Sequence, residues 1–165
     1  MASLTDSPAG RDLLNDLNRD LVAEMAPEEL DMFGELMSEY YADPSPPNPD
    51  EQAADDPLGF GLGETIIAVT PASAAVLTAV IHLIMQISQH MAFDEVSDQL
   101  RVRIKSLFKK RPKDEPPPPD APKLSADDLA RVRQVAIDEA KRFGLPEERA
   151  ILMGDVLYRR LSLGE

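Results

Sequence analysis

His82 and His90 are the only two histidines in the chain, and imidazole is the side chain that titrates near neutrality. They stand eight residues apart, about 12 Å along a helix, too far to share one metal ion within one chain. The spacing points to core or interface residues, with a proton-responsive pair as the alternative. There is no cysteine, so thiol nucleophiles, disulfides and Cys-ligated metals are excluded. Carboxylates are plentiful, yet their positions account for them. Asp127 with Asp128, and Glu147 with Glu148, fall in first helical turns, where the helix dipole favours acids. Asp55 and Asp56 lie in a proline-rich stretch that cannot preorganise them. No serine sits in a nucleophile turn. Gly59, Gly61 and Gly63 precede an apolar run instead of following a strand, and no lysine comes next, which argues against a phosphate loop. The expectation is a protein that is not an enzyme, with no cofactor, no metal and no small-molecule substrate.

The remaining chemistry is electrostatic. Residues 101 to 113 hold seven bases and no acid, among them Arg101, Arg103, Lys105, Lys109, Lys110 and Arg111. Phe108 is the one aromatic in this collar, so there is no stacking platform, and a net charge of −13 repels a polyanion. Nucleic acid is therefore not expected. Anionic lipid headgroups match a basic collar beside an apolar helix better; a solvated helix end is the plain alternative.

The elements that must position these groups are helical. "SPAGRDLLNDLNRDLVAEM" places Leu14, Leu17, Leu21 and Met25 at spacings of three and four, widened by Leu13 and Val22. A second helix is expected from Pro27, with Leu30, Phe33, Met37 and Tyr40 or Tyr41 on its apolar face. Residues 1–41 thus form an acidic helical hairpin, and residues 1 to 64 hold 16 acids against 2 bases. Residues 42–64 form a Pro/Gly/Asp linker with no packed element. Residues 65 to 93 contain no Asp, Glu, Lys or Arg. Thr70 as N-cap and Pro71 at the first position predict a helix that runs unbroken to about Lys110. Residues 65–111 are thus one long apolar-to-basic helix. Residues 112–123, with four consecutive prolines, form a stiff spacer. Residues 124–165 form a second hairpin. Ser125 and Asp128 have capping-box spacing, and Leu129, Val132, Ala136, Ala140 and Phe143 form one stripe. Gly144 stops the first helix and Pro146 opens the second, whose apolar residues are Ile151, Leu152, Val156, Leu157 and Leu161.

The central helix admits two readings. Ala72 to Phe93 is long enough to span a bilayer, with Val76, Leu77, Val80, Ile81, Leu83, Ile84, Ile87 and Met91 as membrane or core residues. Thr78, His82, Gln86 and Gln89 instead form a polar stripe that does not suit lipid all round. In a membrane that stripe would pack on another helix; in a soluble bundle it is the edge that meets water. The alanine, proline and acid bias, with the closing pattern "LARVRQVAIDEAKRFGLPEERAILMGDVLYRRL", resembles that of small proteins from high-GC bacteria. The layout resembles compact membrane-acting effectors of bacterial defence operons: a recruitment module, an apolar helix and an interaction module. That resemblance is one of architecture and carries over no site.

The expected fold is all-α: two short hairpins flanking one central helix, joined by Pro-rich linkers. The expected function is a membrane-associating interaction protein, in its sharpest form a triggered membrane-disrupting or pore-forming effector. The alternative is a soluble adaptor or oligomerisation protein whose central helix is the buried core. Partners would be a protein or a second copy, engaged through Leu129, Val132, Phe143, Leu152, Val156 and Leu157, and an anionic membrane. The N-terminus lacks a basic n-region followed by an apolar run. This sets the expectation of the cytosol or the cytoplasmic membrane, with the C-terminal part cytosolic.

Overall fold

A computed structural model describes residues 4–46, 68–87, 98–108 and 124–162. The two expected linkers fall mainly outside the described residues. Among those residues the fold is all-α, with six α-helices.

Helix α1, Pro8–Met25, begins where Ser7 Oγ accepts from Gly10 N at 3.1 Å and Pro8 occupies the first turn. A 3-10 turn, Leu4–Asp6, folds Leu4 onto this start. Gly10 has to be glycine there, since a Cβ would lie 2.0 Å from Leu4 O. Pro27 opens a 3-10 turn, Pro27–Met32, and α2 proper is Phe33–Ala42. Leu13, Leu14, Leu17, Leu21, Val22, Phe33, Met37 and Tyr40 are buried, as the periodicity requires.

Helix α3, Val69–Ile87, is the central apolar helix. Helix α4, Asp98–Phe108, follows. Helix α5, Ala126–Arg142, carries the full Ser125–Asp128 capping box. It ends at Gly144, whose φ of 89° is the left-handed stop. Helix α6 is Glu147–Ser162.

Packing closes a circuit. α3 lies against α1, α2 and α5; α6 backs onto α5; α4 joins α6 to α1. Leu4, Leu13, Phe33, Leu77, Ile81, Ile104, Leu129, Met153 and Leu157 belong to a single hydrophobic cluster. Contacts that bind the N-terminal head to the C-terminal hairpin directly include the Tyr40 and Phe143 rings, 6.4 Å apart, the Arg160–Glu24 ion pair, and a bond from Arg160 Nη2 to Asp20 O.

Three expectations need correction. Thr70 does not cap the central helix from outside; the helix starts at Val69 and Thr70 is fully buried within it. Pro27 opens a 3-10 turn before the α-helix. A single straight helix through the collar is also excluded. Ser73 and Lys105 would then stand about 48 Å apart, yet Ser73 bonds Asn18 and Lys105 bonds Asp16, two residues away on α1. The apolar and basic halves are therefore laid against the same helix.

Candidate functional site

The region that invites a functional reading is α3, with the groups that cover and fasten it. Val69–Ile87 is the one helix, among the described residues, long and apolar enough to cross a bilayer by length and composition. Its apolar window is 67% buried inside the protein. Val76, Leu77, Val80, Ile81, Leu83 and Ile84 are buried by the chain's own helices, and Ile87 is half-buried. Met91, Gln89 and His90 lie outside the described residues.

The three described residues of the polar stripe lie on a less-buried edge of α3. Thr78 and His82 are half-buried and Gln86 is exposed. Thr78 Oγ1 donates back to Ala74 O at 2.8 Å, which satisfies its hydroxyl within the helix. Burial pushes the His82 imidazole below its ordinary 6.5.

Two polar devices, one buried and one half-buried, hold α3, and sequence reasoning missed both. The first is a closed network. Ser73 Oγ donates to Asn18 Oδ1 at 2.5 Å and approaches Thr70 O at 3.0 Å. Asn18 Nδ2 donates to Thr70 O at 3.1 Å and lies 3.1 Å from the Met37 sulfur. Asn18, Thr70 and Ser73 are all fully buried. A satisfied network in a dry core fixes how two helices register, because any slip leaves a donor or acceptor bare. A signal for it stood in the sequence: Asn18 is the polar member of the Leu14, Leu17, Leu21 stripe.

The second device is Glu29. Its carboxylate accepts from Val69 N at 2.8 Å and Thr70 N at 3.2 Å, so it caps α3 from 40 residues away. Burial raises the Glu29 pKa above its ordinary 4.5, and the amide and hydroxyl donors of Val69 and Thr70 only partly oppose this. No local spacing announces a cap at such a distance.

The basic collar meets the acidic head. Lys105 Nζ lies 2.5 Å from Asp16 Oδ2, and Arg101 lies 4.0 Å from the same oxygen. The side chains of Arg103, Lys109, Lys110 and Arg111 lie outside the described residues. Asp12, Asp16, Asp20 and Glu24 recur every four residues along α1. The head's acids were readable as a counter-charge for the collar; that Asp16 in particular takes Lys105 and Arg101 was not.

Of the six residues expected to bind partners, Leu129, Val132, Phe143, Val156 and Leu157 are between 0% and 4% exposed in the chain's own core. They are unavailable to a partner in this state, because α5 and α6 use those faces on each other and on α3. Leu152 is 48% exposed and keeps that option, beside Ile151 and Tyr158. Among the described residues no group of three or more His, Asp or Glu side chains is placed to hold a metal ion. Comparison with protein-family models, with curated proteins and with solved structures returned no match.

Proposed function

We propose that this chain is a non-enzymatic, soluble interaction protein whose apolar central helix is its core. The observation that carries the reading is the cover on α3: α1, α2 and α5 of the same chain bury it, and Asn18, Ser73 and Glu29 give it one register. A lone lipid anchor has no use for a buried side-chain network that ties it to an acidic soluble helix. Separation of cells into soluble and membrane pools tests this. The protein belongs in the soluble pool and purifies without detergent, fully helical, with a cooperative melt. Retention in the membrane pool until detergent is added overturns it.

The second reading is a sheathed effector whose α3 inserts when the head moves away. The length and lack of charge of Val69–Ile87 favour it. Flotation with liposomes at neutral and acidic pH, with and without residues 1–64, distinguishes the two. Absence of lipid association in every arm ends the second reading.

A further inference from the structure

The contact between α4 and α1 has the form of a reversible fastening. α4 buries Ile104, Leu107 and Phe108 toward the core. On the turn beside that face, Arg101 and Lys105 share one carboxylate, Asp16. All three charged side chains are 30% to 56% exposed, so the pairs are weak and screened by salt. Val102, on another side of the helix, is 65% exposed. A short helix with an apolar face flanked by bases is the pattern that lies in a membrane interface. Only a surface offering both negative charge and an apolar layer replaces both halves of the contact at once. Nucleic acid replaces the charge and leaves Ile104, Leu107 and Phe108 in water.

We propose that Asp16 is an autoinhibitory contact: it occupies the two bases that α4 otherwise presents to an anionic lipid surface, so that docking on α1 and binding to lipid exclude each other. This does not require α3 to insert, and it goes beyond the soluble reading above.

The test uses the full chain with phosphatidylcholine vesicles, with and without phosphatidylserine. Asp16→Lys raises flotation with the anionic vesicles by about three- to fivefold, the scale that loss of the two exposed pairs on Asp16 sets, and leaves neutral vesicles unbound. Amide exchange across residues 98–108 accelerates in that variant, while exchange in α3 and α5 stays at the wild-type rate, showing that the fold is intact. Asp12→Lys makes the same change of charge one turn earlier on α1 and binds like wild type. Re-pairing in Asp16→Lys/Lys105→Glu returns both readouts toward wild type. Unchanged exchange in residues 98–108 of Asp16→Lys overturns the fastening. Faster exchange without a gain on anionic vesicles, an equal gain in Asp12→Lys, or a gain confined to duplex DNA or RNA overturns the lipid surface as its competitor.

Discussion

A single amide, Asn18, joins three chain segments, since it touches Ser73 and Thr70 of α3 and the sulfur of Met37 in α2. Asn18→Ala leaves the Thr70 carbonyl and the Ser73 hydroxyl short of a partner in a dry site, while Ser73 keeps Thr70 O. The expected loss is about 1–3 kcal/mol, about 0.5–1.5 kcal/mol for each of the two hydrogen bonds removed. Urea denaturation measures it, and a cycle with Ser73→Ala should give a clear coupling energy. A loss below a few tenths would mean that water enters and that the network does not set register. His82 supplies the pH dependence at the same scale. Its folded pKa is depressed, so the folded state prefers the neutral ring. That contribution is complete above the ordinary 6.5 and is lost as pH falls through the folded value. Glu29 acts in the opposite sense. Its pKa is raised above 4.5, so its contribution grows as pH falls through the folded value. Denaturation midpoints taken from neutral pH down to about pH 5 should therefore fall in wild type and flatten in His82→Gln. An identical slope in the two proteins would remove His82 from the account.

Among the elements, the α5–α6 hairpin was the most legible, because its punctuation is local. Ser125, Asp128, Gly144 and the Leu129 to Phe143 stripe each act within one helix or one turn, and each stands where spacing put it. The central helix was legible in type but not in environment. Lack of charge identifies a helix that avoids water, and the same residues serve lipid or core. The structure adds the cover from α1, α2 and α5, which no spacing within residues 69–87 encodes. The start of α3 was misplaced for a related reason: Glu29, remote in sequence, supplies the cap that Thr70 was expected to supply. Close packing between elements gives a prediction of two signs. A Cβ at Gly154 would lie 2.7 Å from Ile137 Cγ1 and 3.1 Å from Arg133 O. The backbone of α5 cannot yield as a side-chain tip does, so Gly154→Ala should destabilise by about 1–3 kcal/mol despite the better helix propensity of alanine. At Gly34, on the exposed side of α2, a Cβ meets nothing within 4 Å. Gly34→Ala should stabilise, by up to about 1 kcal/mol. Thermal melts of both variants check the pair, and a shift of the same sign in both would contradict the close α5–α6 approach.

At the scale of the whole molecule, the charge layout acquires a structural sense. The acidic head and the basic collar are far apart in sequence, and Asp16 brings them together beside the apolar helix that separates them in the chain. Burial of α3 is therefore shared between halves: α1 and α2 cover it from the head, α5 from the C-terminal hairpin. Small helical modules bury too little surface to stand alone, and here each half completes the other's core. Arg160 of α6 on Glu24 of α1, and Tyr40 of α2 on Phe143, make the same exchange. A chain beginning at residue 65 follows as the decisive variant. It loses Leu13, Leu14, Leu17, Leu21, Phe33 and Met37 from the cluster, and with them Asn18 and Glu29, the partners of Ser73 and Val69 on α3. Each fully buried Leu, Phe or Met side chain accounts for about 1.5–3 kcal/mol of burial, so the loss is as large as the whole stability of an ordinary small domain. The truncated chain should bind a hydrophobic dye strongly and aggregate without detergent, while the full chain does neither. If it remains monodisperse, helical and cooperative in its melt, the head is not the cover of α3, and the core must be reassigned to the C-terminal hairpin alone.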